Sequence, residues 1–302
     1  MNETNKLNGS ADHHSDDEDH STPETIIIIN CVVNAPLMLI SILGNALVLA
    51  AILRTPSIRS THMIMLCSLA VSDLLVGLIA QPIYISHLLL ELRYNDIASS
   101  MIGHSLGGVS LLTITAITVD RFLALHYHMS YATLVTESRV KITLAIVWLI
   151  SILASGFQFW NEAVHSIADG VFIALCLKIS AFCYIRIYRI IRRHQLHINA
   201  QQQAVQISDA ENNMNITRLK RSALNTFVFY IVLIVCYFPM YVSKIRHGIS
   251  NKVRLTEWTF AYNLVFSNSS INPVLYCWRL RELRTAVIKT AKQMLCKQRE
   301  EN

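Results

Sequence analysis

The chain has 302 residues, of which 53% are hydrophobic and only 15% are charged, and its formal net charge is +6. A soluble domain of this size carries more charge than this, so the composition excludes an ordinary water-soluble fold. A basic excess can indicate nucleic-acid binding, but here the basic residues follow the ends of apolar segments. We therefore expect a lipid bilayer, and no nucleic acid, as the partner of this chain.

Seven long apolar stretches follow one another along the chain. One crossing of a bilayer takes about 20 apolar residues in a helix, and helices satisfy their own backbone hydrogen bonds in lipid. The stretches are too long for the strands of a membrane barrel. The sequence predicts an all-α membrane protein, a seven-transmembrane helix bundle, with spans at about 26–53, 62–90, 97–126, 139–160, 165–193, 219–247 and 255–277.

The segments outside these spans are short. Residues 1–25 are polar and acidic and are expected to form an extracellular disordered tail, followed by the seven-helix domain at 26–277. Residues 278–302 alternate basic and apolar positions, which predicts a short amphipathic eighth helix on the cytoplasmic face, with Cys296 as a palmitoylation site. Residues 194–217, rich in Gln, Asn and Ala, are expected to form the one sizeable cytoplasmic loop.

The distribution of positive charge predicts the orientation. Nineteen of the 26 Lys and Arg residues fall on the side of the cytoplasmic tail and only six on the other side. The positive-inside rule then predicts a multi-pass plasma-membrane protein with an extracellular N-terminus and a cytoplasmic C-terminus. Asn2 and Asn8 begin glycosylation acceptor patterns on the extracellular side. The histidine- and acid-rich segment 13–20 suits either a transition-metal site or a solvated tail, and no cleavable signal peptide is expected.

Prolines and small residues predict local features of the spans. Pro82, Pro239 and Pro273 each remove one intrahelical hydrogen bond, so we expect bends in the second, sixth and seventh spans. Gly103 and Gly107 share a face of the third span, which predicts a close approach of a neighbouring helix. No pair of the seven cysteines lies in predicted extracellular loops, so no structural disulfide is expected.

An acid interrupts the second apolar stretch. A charge at the bilayer centre costs roughly 2.5–3.5 kcal/mol on insertion scales, so Asp73 needs polar partners inside the bundle. Hydroxyl and amide groups of other spans suit a hard monovalent cation bound beside the carboxylate, but interhelical hydrogen bonding without an ion suits them equally. The candidate polar partners in other spans are Asn45, Ser110, Asn268, Ser269 and Asn272.

Short motifs occur in order, one for each expected span: Gly44-Asn45, Leu69 through Asp73, Asp120-Arg121-Phe122, Trp148, Cys236 through Pro239, and Asn272 through Tyr276. As an ordered set they resemble the rhodopsin-like (class A) family of G-protein-coupled receptors over about residues 26–295. Residues 276–287 look most similar to adenosine receptors. The very short loop at about 161–165 looks more similar to melanocortin receptors.

The resemblance implies a mechanism for this chain. An extracellular ligand would bias the bundle, the sixth helix would move outward, and a heterotrimeric G protein would be activated. Arg121 would engage the G protein and Asp120 would restrain it at rest. Asp73, Ser110, Asn268, Ser269 and Asn272 match the family's sodium pocket, so the resemblance favours sodium there, and these five residues are the tentative sodium set. The implied switch residues are Asp120, Arg121, Tyr184, Pro239, Asn272, Pro273 and Tyr276.

The ligand stays unassigned. Gly103 stands where amine receptors carry their aspartate, and Lys244 stands where adenosine receptors have asparagine, so the resemblance argues against both ligand classes. Asp169 and Lys244 could pair with each other or with opposite charges on a ligand, and packing roles suit the tyrosines equally well. The pocket candidates, chosen by position, are Tyr84, His104, Asp169, Tyr237, Tyr241, Lys244 and Tyr262.

Other function classes have less support. Asp73 and Lys178 are intramembrane charges that could line the path of a transporter or channel, but the chain has no internal repeat. Phe122 and Tyr237 replace the family's usual tyrosine and tryptophan, which leaves open a binding protein that does not signal. No spaced nucleophile and base indicate an enzyme, and no cofactor beyond the possible sodium ion is expected.

Overall fold

The computed structural model of this chain describes residues 22–58, 60–90, 93–127, 130–204, 209–250 and 255–300. Every regular element in these ranges is a helix, as predicted for an all-α bundle. The predicted glycosylation sites Asn2 and Asn8, and most of the predicted tail at 1–25, lie outside the described residues.

Seven long helices follow the order expected for seven spans, and an eighth follows them. The second span is interrupted by a π-helical turn, and the third is followed by the short helix Tyr131–Leu134. The first to seventh spans are Thr22–Arg54, Thr61–Leu90 (with the π turn at Val76–Ala80), Arg93–Tyr127, Glu137–Gly156, Glu162–Ala204, Asp209–Ser250 and Leu255–Arg279, and the terminal helix is Arg281–Glu300.

Within the described residues, six helices are long and apolar enough to cross a membrane, and these are the first six spans. The seventh helix has 25 residues, which exceeds the roughly 20 needed for a crossing. Its hydropathy is lowered by polar residues that face inward: Asn268, Ser269, Ser270 and Asn272 are all buried. The seventh helix contacts the first and sixth spans along its length, so it completes the bundle.

The bundle exposes apolar side chains on its outer surface and buries polar groups at its centre, which is the reverse of the usual arrangement in a soluble protein. Large apolar side chains such as Val32, Leu43 and Leu153 are about two-thirds exposed on the outer surface, where lipid would contact them. The centre combines fully buried leucines, such as Leu69, with fully buried polar groups. Lys178 lies on the outer, exposed face of the fifth span, where its long stem can follow the apolar surface.

Polar side chains begin several of the helices. The Ser60 hydroxyl accepts a hydrogen bond from the Met63 amide, and the Thr136 hydroxyl accepts one from the Arg139 amide. The Asn161 side chain accepts a bond from the Val164 amide at 3.0 Å, at the start of the fifth span. Each of these groups satisfies an amide that has no partner inside its helix.

Two of the predicted prolines have a visible structural consequence. The π turn at Val76–Ala80 lies directly before Pro82, where the missing amide hydrogen would otherwise bond to Leu78. Pro273 leaves the Ser269 carbonyl without its helical donor, and Asn45 Nδ2 of the first span donates to that carbonyl at 3.0 Å. A Cβ on Gly44 would lie 3.0 Å from Pro273 Cγ, so glycine lets the first span approach the proline.

Two sequence-based expectations for this part of the molecule were wrong. The expected loop at 194–217 is helical in its described part, since the fifth span runs to Ala204 and the sixth begins at Asp209. Gln, Ala, Arg and Leu favour helix, and no glycine or proline interrupts residues 186–238. Gly103 and Gly107 do not mediate a close helix contact, because a Cβ at either would meet its nearest neighbour only at 3.9 Å.

The close contacts occur at other glycines. A Cβ on Gly248 would lie 2.3 Å from Ile167 Cγ1 and 3.0 Å from the Ala163 carbonyl oxygen, and one on Gly170 would lie 2.6 Å from Ile245 Cδ1. The fifth and sixth spans therefore pack closely on the extracellular side because each presents a glycine to an isoleucine of the other.

The terminal helix packs against the first span, at the end that is predicted to be cytoplasmic. Leu283, Ala286 and Thr290 are buried, while Ile288 is about half exposed, so the helix is amphipathic as predicted. Cys296 is exposed near its end, and palmitoylation there stays a prediction. All seven cysteines are free thiols.

We predict that Gly248→Ala destabilises the bundle, because even one methyl group collides with Ile167 and with backbone of the fifth span. Overpacking of this kind costs about 1–3 kcal/mol. The measurement is the thermal unfolding midpoint of the purified protein. Gly156→Ala is the matched control, because nothing lies within 4 Å of a Cβ there. Equal midpoints for the two variants would contradict the packing described above.

Candidate functional site, an outer cavity and a cytoplasmic switch

A cavity of about 520 Å³ lies at the end of the bundle that is predicted to be extracellular, and we call it the outer cavity. Its walls come from the second, third, fifth, sixth and seventh spans and from the turn before the fifth span. This volume is within the range of small-molecule sites, about 300–1,000 Å³. Its polar lining includes Ser100, His104, Gln158, Glu162, His165, Lys244 and His247.

Charged and imidazole groups of three spans meet at the floor of this cavity. Lys244 Nζ of the sixth span lies 3.2 Å from Asp169 Oδ2 of the fifth and 2.5 Å from His104 Nε2 of the third. His165, one turn before Asp169, places Nδ1 3.8 Å from the same carboxylate oxygen. Lys244 is 3% exposed, so a buried ammonium is paired here with a carboxylate that is only partly buried.

Aromatic side chains form the opposite wall. Tyr84 and Tyr262 lie with ring centroids 5.2 Å apart, and Phe266 packs against both. Asn30 donates a hydrogen bond to the Tyr84 hydroxyl at 3.1 Å. Lys244 Nζ also lies 5.5 Å from the centre of the Trp258 ring, within cation–π range.

A smaller cavity of about 70 Å³ continues toward the centre of the bundle. Gly103 and Gly107 line it, so their small size creates space inside the bundle instead of a helix contact. Tyr237 lies at its base and its hydroxyl donates to the Gly107 carbonyl at 3.4 Å. Asp169 also lines it, and His104, Lys244 and Tyr262 line both cavities and therefore connect them.

Six of the seven pocket candidates line one of these cavities, namely Tyr84, His104, Asp169, Tyr237, Lys244 and Tyr262. The seventh, Tyr241, lies outside both linings, with its ring 5.8 Å from that of Phe238. Sequence reasoning missed His165, Glu162 and Trp258. The spacing of His165 and Asp169, four residues apart on one helix face, was the signal available for the first of these.

The Asp73 carboxylate is fully buried and accepts three hydrogen bonds from other spans. Ser110 and Ser269 donate to Oδ1 at 2.9 and 2.8 Å, and Asn272 donates to Oδ2 at 2.8 Å. Ser41 donates to the Asp73 backbone carbonyl at 2.8 Å. This network therefore connects the first, second, third and seventh spans around one acid.

Asn268 is the one member of the tentative sodium set without a direct contact to Asp73. It is buried, but its Nδ2 has no hydrogen-bond partner among the described residues, and the same holds for Oδ1 of nearby Asn45. Carboxylate and hydroxyl oxygens, with further buried polar atoms close by, suit a hard cation. The donor set therefore fits sodium chemically, and Ser110, Ser269 and Asp73 would supply the oxygen ligands.

The end of the third span that is predicted to be cytoplasmic holds a second buried acid. Asp120 is 2% exposed and accepts two bonds from Arg121, at 2.6 Å from Nη2 and 3.1 Å from Nε. Tyr131, in the short helix after the third span, donates to its other oxygen at 2.6 Å. Partial burial and the Asp120 carboxylate raise the pKa of the Tyr131 phenol above its usual value of about 10, so the phenol keeps its proton and stays a donor.

Three of the expected switch residues line one small cavity. Arg121, Tyr184 and Tyr276 surround a space of about 20 Å³ between the third, fifth and seventh spans. The Tyr184 hydroxyl lies 3.2 Å from Thr118 Oγ1, and the Tyr276 ring stacks on Phe229 of the sixth span at 5.9 Å. Pro239 lies in the sixth span two residues beyond Tyr237, between the inner cavity and this switch region.

Comparison with known proteins agrees with this architecture. Residues 44–169 match the family model described as 7 transmembrane receptor (rhodopsin family). The histamine H2 receptor of Rattus norvegicus is 28% identical over 283 residues, which cover 84% of this chain and 77% of that receptor, and the Homo sapiens receptor is 27% identical over the same shares. Melanocortin receptor 4 of Danio rerio is 26% identical over 292 residues, covering 89% of this chain and 85% of that receptor.

These relatives are receptors and not enzymes, and together with the apolar helices they indicate a multi-pass protein of the plasma membrane. The similarity to a melanocortin receptor agrees with the short loop before the fifth span, whereas the motifs gave no indication of histamine receptors. The chain is therefore similar, over 84–89% of its length, to receptors of the rhodopsin-like, class A family of G-protein-coupled receptors, and these comparisons support G-protein-coupled receptor activity.

Proposed function

We propose that a small organic ligand enters the outer cavity from the extracellular side and that the bundle then activates a heterotrimeric G protein through outward movement of the sixth span. The observation that carries this proposal is Arg121, which is bonded to Asp120 and lines one cavity with Tyr184 and Tyr276. An arginine held by its neighbouring acid, beside two tyrosines of other spans, can have a second arrangement once the sixth span moves.

The proposed movement needs a flexible point between ligand and switch. Pro239 removes one hydrogen bond from the sixth span and lies five residues before Lys244. Lys244 holds the outer part of that span to Asp169 and His104, while Phe229 holds the inner part to Tyr276. A ligand that changes the outer contacts would bias the inner ones only if its affinity differs between the two arrangements.

We predict that Arg121→Ala abolishes ligand-dependent and basal G-protein activation while surface expression is retained, because the group that engages the G protein is removed. The measurement is nucleotide exchange on purified G proteins in membranes, normalised to surface protein. Lys141→Ala is the matched control, because it removes an exposed cytoplasmic charge whose ion pair among the described residues is with Glu137. Unchanged activation in Arg121→Ala would disprove the switch.

We propose sodium as an allosteric ligand at Asp73. The supporting observations are a fully buried carboxylate whose described contacts are hydroxyl and amide groups, and two hydroxyl oxygens within hydrogen-bond distance of it. A cation that binds only the folded resting arrangement stabilises it by mass action. Hydrogen bonding without an ion remains the alternative, and a stability measurement distinguishes the two.

We predict that sodium raises the thermal unfolding midpoint of the purified receptor above that in N-methylglucamine at equal ionic strength, and that Asp73→Asn removes the difference. Asp169→Asn is the matched control, since it changes an acid of the outer cavity and should keep the sodium effect. A wild-type receptor with equal midpoints in both salts would establish hydrogen bonding alone.

The outer cavity limits the chemistry of the ligand. Asp169 is already neutralised by Lys244 at 3.2 Å, and Gly103 offers no side chain to an ammonium group. We therefore propose that the ligand does not bind through an ammonium–aspartate pair in the manner expected of amine receptors. Because relatives are named for histamine and melanocortins, these two are the first probes, followed by nucleosides, lipids and other peptides.

We predict that Gly103→Leu blocks activation by any agonist found in that screen, because the new side chain fills part of the inner cavity of about 70 Å³. Agonist potency is measured by G-protein activation at matched surface expression. Gly156→Leu serves as control, because its position is open. Equal agonist potency in Gly103→Leu and wild type would show that the ligand binds elsewhere.

Functional measurements also distinguish the proposed receptor from a binding protein that does not signal and from a transporter or channel. A binding protein without signalling would saturate with ligand and leave nucleotide exchange unchanged. A transporter or channel would move substrate or ions across proteoliposomes that contain no G protein. Lys178, one of the two charges that suggested a transport path, is exposed on the outside of the bundle and therefore does not line such a path.

A further inference from the structure

Two histidines and an acid converge beside the outer cavity in a way that receptor signalling does not require. The ligand atoms of His104, His165 and Asp169 all lie within 4.8 Å of one another. His104 comes from the third span, and the other two lie four residues apart on one face of the fifth span. The spacing along the chain therefore could not reveal the cluster.

The geometry is close to that of a metal site. Tetrahedral zinc has bonds of about 2.0–2.1 Å, which places neighbouring ligand atoms about 3.3 Å apart. His104 Nε2 and His165 Nδ1 lie 3.9 and 3.8 Å from Asp169 Oδ2, so side-chain movements of less than an ångström would bring both to that separation. No shift of the helices is needed.

The hydrogen bonds of His104 prepare one nitrogen for this role. Ser100 uses its hydroxyl hydrogen on Gln158 Oε1 at 2.9 Å, so at its 3.3 Å contact with His104 Nδ1 it must accept. Nδ1 therefore carries the proton and Nε2 presents a lone pair toward Asp169. Metal-binding histidines usually donate their other ring N–H to a neighbouring group, which fixes the tautomer as Ser100 does here.

The His165 ring has unused hydrogen-bonding capacity. It is 3% exposed, and its Nε2 has no hydrogen-bond partner among the described residues. A buried imidazole whose polar atoms are not satisfied by the protein costs stability unless a further group binds it. A metal on Nδ1 would leave the hydrogen on Nε2, so the group that satisfies Nε2 would be a water and not the metal.

We propose that His104, His165 and Asp169 form a zinc site, with a water in the fourth position facing the outer cavity. Two imidazoles and one carboxylate match the ligands of zinc sites that keep one open position. Zinc is also redox-inactive, which suits an oxidising extracellular surface. The proposal rests on the proposed function only in placing this cavity on the extracellular side.

Lys244 competes for the same position. Its ammonium lies 2.5 Å from His104 Nε2 and 3.2 Å from Asp169, so it occupies the space that the metal would take. Metal binding must therefore displace the ammonium, which has a flexible stem and the Trp258 ring already 5.5 Å away. The metal thus removes a contact that ties the sixth span to the third and fifth.

The test uses the full-length receptor in lipid nanodiscs, with an epitope tag that contains no histidine. Because segment 13–20 could also bind metal, His13, His14 and His20 are replaced by alanine in every sample. Cobalt(II) is the probe, since tetrahedral coordination gives an intense visible absorption, and zinc is then used to displace it. We expect one saturable site per receptor, with zinc abolishing the absorption.

Variants then locate the site. His104→Ala, His165→Ala and Asp169→Asn are each expected to weaken binding by at least about tenfold, as loss of a ligand requires. His247→Ala is the matched control, because it removes a histidine of the same cavity that contacts Glu162 instead. Lys244→Met is expected to tighten binding by about tenfold, because the displaced charge is gone.

Two results would overturn the proposal. The first is the absence of a saturable tetrahedral spectrum, and the second is a loss of affinity in His247→Ala as large as in the three ligand variants. Weaker binding in Lys244→Met would likewise refute competition. Misfolding would weaken metal binding, so tighter binding in Lys244→Met cannot be an effect of misfolding. The metal-binding experiment contains no G protein, so its result does not depend on whether the Arg121 switch proposed above is correct.

Discussion

The bundle depends on one buried charge. Asp73 is fully enclosed in the apolar centre, and three donors from the third and seventh spans satisfy its carboxylate. Uncompensated, such a group costs several kcal/mol in lipid, so the acid positions those spans as firmly as apolar packing does. The same network contacts the first span through Ser41, and the helices therefore form one cooperative unit around it.

The two ends of the molecule use the same physical device. In the outer cavity the Asp169 carboxylate holds Lys244, and at the cytoplasmic end the Asp120 carboxylate holds Arg121. In each case an acid on one span restrains a cation that could have another partner. Lys244 belongs to the sixth span, and Arg121 lines a small cavity with Phe229 of that span, so the sixth span is the element that both ion pairs can bias.

The sequence predicted the number and order of the helices, because hydropathy and motif spacing are local properties. It also named the three donors to Asp73, since a buried acid must find polar groups in other spans, but two further candidates, Asn45 and Asn268, make no direct contact with the carboxylate. It did not predict His165, whose significance depends on the rotation of the fifth span against the third. It likewise missed the close glycines, such as Gly248, because composition alone does not say which small residue faces a neighbour. The prediction of a loop at 194–217 was wrong because the sequence there is no longer apolar but is still made of residues that favour helix.

Pro273 illustrates how an interrupted helix can still be held firmly. The proline removes the donor for the Ser269 carbonyl, and Asn45 of the first span replaces it at 3.0 Å. Ser269 in turn donates to Asp73 at 2.8 Å, so one residue receives from the first span and donates to the second. Gly44 allows the first span to approach this closely. If the seventh span moves at its proline, its contacts to the first and second spans must therefore either break or move with it. The flexible point is therefore also the point where movement is transmitted between spans.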